Sequence, residues 1–339
     1  MADLTLFICL SVSFLTTFLL VPRWMNKATG MGLEGKDMNK YDRRKVPEAG
    51  GVTVIAGAVS GILIYIFLNT FYFSSEVGAV EIFAALTTIL LAGFVGFIDD
   101  ILGWKSGMTQ RTKVLLTIPI AIPLAIVNAG ESIMNIPFLG FVDFGMFFPL
   151  LLVPLGIIGA TNGYNMLAGY NGMEAGTGAI ILSTLALISW LSGAGWVSMI
   201  ALIVAFSLLA FLWFNKVPAR IFPGDSLTYA VGATIAVVAI LGNMEKFALI
   251  LFIPFFFDVL MFVRFRFIDK VNNIEAFGKV NKDGSLDMPY GKVYDFTHLM
   301  IKLLKVFKKK VYERDVVLMV FLTEFVLALI ALSIWSPSS

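Results

Sequence analysis

Nearly uncharged apolar runs recur along the chain near 3–22, 51–73, 79–98, 113–128, 144–161, 175–192, 196–214, 226–242, 247–265 and 316–335. Most are close to the roughly 20 residues that carry an α-helix across a bilayer core. The pattern predicts an all-α polytopic membrane protein of about ten helices, a single integral membrane domain over 1–339. Composition agrees: the 339 residues are 58% hydrophobic and 14% charged, too apolar for one soluble core.

Charge gives the expected orientation. All but one of the 25 Lys and Arg residues fall in loops on one side, after the first, third, fifth, seventh and ninth helices, and only Lys246 falls on the other. By the positive-inside rule those loops are cytoplasmic and both termini lie outside. The first twenty residues lack a basic n-region and a small-residue cleavage site, so the first helix is expected to be retained. Cys9 is the single cysteine, which excludes an internal disulfide or a thiolate metal cluster.

The unusual polar residues cluster in the cytoplasmic loops. The first, GLEGKDMNKYDRRKVPEAGG at 32–51, holds Lys36, Asp37, Lys40, Arg43, Arg44, Lys45 and Glu48; it reads either as a solvated, headgroup-gripping loop or as a phosphate-binding rim. Asp99 and Asp100 then end a nearly uncharged span, followed by Lys105, Arg111 and Lys113. Carboxylates are expensive near hydrocarbon and adjacent ones repel, so the pair either caps a helix beside Lys113 or serves a cation. Mg²⁺ prefers such oxygen ligands, together with waters and phosphates.

The stretch 160–178, ATNGYNMLAGYNGMEAGTG, has no Lys or Arg but carries Asn162, Asn165, Asn171 and several glycines. Its amides suit a nucleobase edge or a metal-bound water, whereas helix packing would explain only Gly176 and Gly178. In NKVPARIFPGDSLTYAVGA, 215–233, the Pro223–Gly224 turn sets Asp225 and Ser226 at a helix start. Alone Asp225 would be a cap. Together, four loops bring carboxylates, amides and bases to one face, the composition of a site for a metal-bound phosphate compound.

Residues 264–315 are expected to form a cytoplasmic hairpin, turning at NKDGS, plus an interfacial amphipathic helix, HLMIKLLKVFKKK. That helix would set Leu299, Met300, Leu303, Leu304 and Phe307 opposite Lys302, Lys305, Lys308 and Lys309. Asp283, Gly284 and Asp287 lack the ligand spacing of a calcium loop. His298 reads as structural, and 129–143 as a small hairpin on the outer side. Asp258 and Glu324 lie inside apolar spans and would be the acids of the competing reading, an ion-coupled transporter.

The assembled motifs resemble those of the polyprenyl-phosphate N-acetylhexosamine-1-phosphate transferase superfamily: GKDMNK at 35–40, VPEAGG at 46–51, GFIDD at 96–100, NGYNMLAGYNGMEAG at 162–176 and FPGDS at 222–226. The first and fourth are closer to the eukaryotic and archaeal dolichyl-phosphate branch, which uses UDP-GlcNAc, than to the peptidoglycan branch. The resemblance implies transfer of GlcNAc-1-phosphate to dolichyl or another polyprenyl phosphate, with sister transferases using undecaprenyl phosphate or UDP-MurNAc-pentapeptide as the alternative. It implies Mg²⁺, with Mn²⁺ as substitute, held by Asn165 and Asp225. Asp99, Asp100 and Lys113 would be catalytic, with Gly169 and Asn171 at the uracil. Lys36, Asp37, Glu48, Asn162 and Glu174 would line the substrate site. The family's Arg/His signature after the ninth helix is missing from DKVNNIEAFGKV, 269–280, leaving Arg264, Arg266, Lys279 and Lys282 as stand-ins. Expected partners are a UDP-sugar, the polyprenyl phosphate and membrane lipid, without nucleic acid, and a homodimer is among the assemblies the resemblance allows. The expected location is a prokaryotic plasma membrane or an ER membrane.

Overall fold

Every expected apolar run is helical in the computed structural model, which describes residues 2–73, 78–106, 109–136, 140–271 and 274–336. The first three are α1 (Ala2–Met31), α2 (Gly51–Phe67, with a wider turn on to Phe73) and α3 (Ala79–Ser106). The fourth is the shorter apolar helix Thr112–Ile126, in which α4 (Gln110–Thr117) and α5 (Ile122–Ile126) flank a tighter turn, and the fifth is α6 (Val153–Met166). Prolines 119, 123, 149 and 154 interrupt these two runs, each removing a backbone donor. α7 (Met173–Leu191), α8 (Gly195–Asn215) and α9 (Gly224–Leu241) follow. The ninth run is α10 (Glu245–Leu251) and α11 (Ile253–Val263), whose axis, continued to Ile268, bends by 63° where Pro254 enters the helix. After α12 (Phe296–Phe307) comes α13 (Glu313–Ser333). Among the described residues seven helices are long and apolar enough to cross a membrane, or eight if the bent pair is one span, fewer than the ten expected.

The structure is mostly helical but corrects a strictly all-α expectation, because three small antiparallel sheets stand at the helix ends. β1 (Glu34–Lys36) pairs with β2 (Lys45–Pro47), setting Gly35 opposite Val46. β3 (Ile133–Ile136) and β4 (Gly140–Asp143) form the hairpin expected within 129–143. β5 (Lys279–Val280), β6 (Ser285–Asp287) and β7 (Val311–Tyr312) form a third sheet in that order. The NKDGS hairpin joins β5 to β6, and its acids tie it to the segments that follow: Asp283 pairs with Lys310, just before β7, at 2.7 Å and Asp287 with Lys305 of α12.

Helix α9 is the axis of the bundle. Every residue from Ser226 to Ile240 is buried, and the run SLTYAVGATIAVVAI is rich in the small residues that let helices pack closely in lipid. α3, α6 and α2 pack around it. Gly96 marks a close approach of α3, since a Cβ there would collide with the carbonyl of Asp225. Gly96→Ala is therefore expected to cost about 1–3 kcal/mol by overpacking and to displace Asp225. A drop in thermal stability in detergent, accompanied by lost activity, checks this.

α12 is amphipathic with a shifted boundary. Phe296, Met300 and Ile301 are buried in the protein, while Leu303, Val306 and Phe307 are exposed. Of its lysines, Lys305 pairs with Asp287 and Lys308 with Asp315 at 2.6 Å. His298 is fully buried against Tyr290 and lines none of the clefts described below. Burial lowers its imidazole to about 4, so it stays neutral at physiological pH. Asp258 accepts the backbone N–H of Phe296 at 2.6 Å and so anchors α12 on α11; Glu324 is wholly buried in α13.

Candidate active site

Three backbone contacts assemble the site. Phe222 donates its N–H to Pro47 at 2.7 Å, Gly50 donates to Phe222 at 2.9 Å, and Gly51 donates to Pro223 at 2.8 Å. They join the β2–α2 entry to the FPGDS turn, so Glu48 and Asp225 share one cleft.

Asp99 and Asp100 are neighbours in α3, and helical geometry turns their side chains about 100° apart. Asp100 faces the start of α9, where one carboxylate oxygen accepts the N–H of Asp225 at 2.5 Å and the other that of Ser226 at 3.1 Å. It therefore satisfies two of the orphan donors of a helix N-terminus. Gly224, at φ 70°, permits this approach: a Cβ there would strike the Asp100 carboxylate. Asp99 faces the other way, to the Lys113 ammonium, which also bonds Asp225 at 2.8 Å. Thr109 caps α4 by accepting the Thr112 N–H at 3.2 Å, which fixes the turn carrying Lys113. The side chains of Lys105 and Arg111 lie outside the described residues.

Two joined compartments result. One, of about 320 Å³, is lined by Lys36, Asp37, Glu48, Asn165, Gly169, Asn171, Glu174 and Asp225. The other, of about 630 Å³, is lined by Lys36, Glu48, Asp99, Asp100, Lys113 and Asp225. Glu48 and Asp225 border both. Asn165 sits on the last turn of α6, and its Oδ1 accepts the Thr228 hydroxyl at 2.7 Å, one turn beyond Asp225. Burial raises the Glu48 carboxyl above its usual range, and the charge of Asp225 raises it further.

Among the described residues no three His, Cys, Asp or Glu side chains converge as a complete metal cage. The donor set still fits Mg²⁺. Asp225 and Asn165 offer hard oxygens on the wall of the first compartment, which Asp37, Glu48 and Glu174 also line, and this ion is ordinarily held by one or two carboxylates with phosphates and waters.

Some expected residues lie elsewhere. Asn162 is turned to Thr117 and to the carbonyl of Ile158, outside both compartments. Arg264 pairs with Asp269 at 3.6 Å, and neither it nor Arg266 lines the compartments. Lys279 lines a third cleft, of about 470 Å³, that shares Met38 and Phe277 with the first. Sequence reasoning missed Phe222, Thr228, Tyr170 and Phe277, all lining the first compartment. Phe222 and Tyr170 lay inside the quoted motifs without being singled out, and Thr228 follows Asp225 by three residues.

Comparison with known proteins places the chain in a family. The profile of Glycosyl transferase family 4 matches residues 82–243, which carry Asp99, Asp100, Lys113, Asn165 and Asp225. A protein of Saccharolobus solfataricus, provisionally named UDP-N-acetylglucosamine-dolichyl-phosphate N-acetylglucosaminephosphotransferase, is 35% identical over 98% of this chain and 97% of its own length. The enzyme so named in Dictyostelium discoideum is 28% identical over 71% of this chain and 67% of its own. A phospho-N-acetylmuramoyl-pentapeptide-transferase of Halalkalibacterium halodurans is 29% identical over 74% and 79%. With this profile match, a relative 35% identical over nearly its whole length and apolar helices of membrane length, the chain belongs to glycosyl transferase family 4, the polyprenyl-phosphate N-acetylhexosamine-1-phosphate transferases.

Proposed function

We infer that the protein transfers GlcNAc-1-phosphate from UDP-GlcNAc to dolichyl or another polyprenyl phosphate, releasing UMP and leaving a lipid-linked GlcNAc diphosphate, the first membrane step of N-glycan or surface-glycan assembly. The observation that carries this reading is the meeting of the two compartments at Asp225. The first has amide and aromatic walls suited to a nucleoside; the second has acids and an ammonium beside the exposed apolar residues Ile101, Leu102, Val114 and Leu115. A water-soluble donor and a membrane-borne acceptor need such a junction. The asymmetry of Lys and Arg supports a cleft facing the cytoplasm.

In the reaction an oxygen of the lipid phosphate forms a bond to the β-phosphorus of the donor. The bond from that phosphorus to the oxygen bridging the two phosphates breaks, and UMP leaves with the electron pair. The acceptor phosphate, with a second pKa of about 6, is already mostly ionised at neutral pH, so no strong base is required. Lys113 neutralises the approaching anions while Asp99 fixes the ammonium and orients the acceptor. Asn171 and Gly169 hold the nucleobase, and Lys36 faces the phosphates. Asp225 and Asn165 would hold Mg²⁺, which would supply positive charge against the diphosphate. Positioning and charge stabilisation are the main contributions in phosphoryl transfer.

UMP release by detergent-purified protein tests the reading. It is expected with UDP-GlcNAc, dolichyl phosphate and Mg²⁺ together and to vanish when lipid or metal is withheld. UMP from UDP-MurNAc-pentapeptide or UDP-GalNAc alone would move the donor to a sister branch, and no UMP from any donor would overturn the reading.

A further inference from the structure

A carboxylate outside all the family motifs ties together two segments that wall the first compartment. Glu313 opens α13, 142 residues beyond Asn171, whose backbone N–H its Oε1 accepts at 2.9 Å. Its other oxygen binds the ammonium of Lys40, in the loop that joins β1 to β2. Glu313 is 3% exposed and lines none of the three clefts. Both its partners belong to segments that do. Asn171 also donates through its side chain to Asp37 at 3.0 Å, and Asn39 donates to the carbonyl of Gly169 at 2.8 Å. Lys40 lines the third cleft, next to the first.

We propose that Glu313 is a positioning residue for donor binding, tying the first cytoplasmic loop and the α6–α7 connection to the last span so that the nucleoside compartment is formed before the donor enters. The proposal rests on reading that compartment as the site of the nucleotide. A buried carboxylate is a costly way merely to hold a helix end, since well-packed apolar residues serve stability as well or better. What the carboxylate adds is direction. It fixes the peptide plane of Asn171 and the position of Lys40 at once, on two walls that no local sequence connects. Preorganisation of this kind strengthens binding by removing the ordering cost from the binding step. Its loss therefore falls on the KM of the donor, leaving kcat and the acceptor almost untouched.

Kinetics of Glu313→Ala, Glu313→Gln, Lys40→Met and the Lys40→Met/Glu313→Gln pair in purified full-length protein test this, with thermal unfolding recorded for each. Glu313→Ala is expected to raise the KM for UDP-GlcNAc tenfold or more, with kcat within threefold and the KM for dolichyl phosphate within twofold of wild type. Glu313→Gln keeps an acceptor for Asn171 but loses the ion pair, so its KM should lie between. The double variant should be no worse than its poorer single, as for residues acting through one contact. A donor KM unchanged in Glu313→Gln, or a loss confined to kcat, overturns the proposal; the glutamine variant carries the test if the alanine variant does not fold. Wild-type protein that releases no UMP from UDP-GlcNAc overturns the parent reading instead, an outcome visible before any variant is made.

Discussion

Asp225→Asn is expected to lower kcat for lipid-dependent UMP release by at least about a hundredfold, the scale on which single charge-stabilising groups act in transfer reactions. It should also raise the Mg²⁺ concentration needed for half-maximal rate more than tenfold. The substitution keeps the shape and removes one negative charge at the point where the two compartments meet. Folding should be little affected, because the start of α9 is held through the backbone N–H of Asp225 and not through its side chain. Lys113 would keep its bond to Asp99, so its ammonium would not be left unpaired. Mg²⁺ titrations of UMP release on protein with wild-type thermal stability make the check, and a variant within threefold of wild type at every Mg²⁺ concentration would remove Asp225 from the metal site.

Helices were legible in the sequence because an apolar run of membrane length satisfies its backbone in lipid only by coiling into a helix, and all ten runs are helical. What the runs do not encode is how each is interrupted. The 63° bend between α10 and α11 and the broken segment 112–126 depend on prolines whose effect is set by neighbouring helices. Short strands such as β1 and β7 were invisible because two or three residues show no period. At the site, the polar residues that line the compartments were readable as clusters of unusual polarity in otherwise bland surroundings. Asp37, Glu48, Asn165, Asn171 and Asp225 all line the first compartment. Residues that act through another group were not readable. Glu313 follows a run of lysines and looks like any acid opening a helix, and its use appears only when the fold brings Asn171 and Lys40 to it. The division of labour within the aspartate pair was equally hidden, since adjacent identical residues differ only in the direction each faces.

That division leads to the second large effect. Asp100→Ala should abolish most turnover for a reason unlike that at Asp225. Both oxygens of Asp100 accept backbone N–H groups at the start of α9, and an unsatisfied buried donor costs about 1–3 kcal/mol. Losing two should fray the first turn of α9, lower the thermal stability of the protein and let Asp225 drift from Lys113 and Asn165. Asn is no remedy, because its amide presents a donor to one of those N–H groups while accepting from the other. A general base would leave a different record. Asp100→Asn would then unfold at the wild-type temperature, and the acidic limb of the kcat/KM profile against pH would disappear with the titrating group. Positioning instead predicts a lowered unfolding temperature in both variants and a residual activity whose pH profile keeps its wild-type shape. Asp99 makes the internal control: it binds Lys113, whereas the first N–H groups of α9 are held by Asp100, so Asp99→Asn should lose activity with a smaller fall in unfolding temperature. Equal thermal stability across Asp99→Asn and Asp100→Asn would mean that the contacts of Asp100 to α9 are incidental and that the two aspartates share one chemical task.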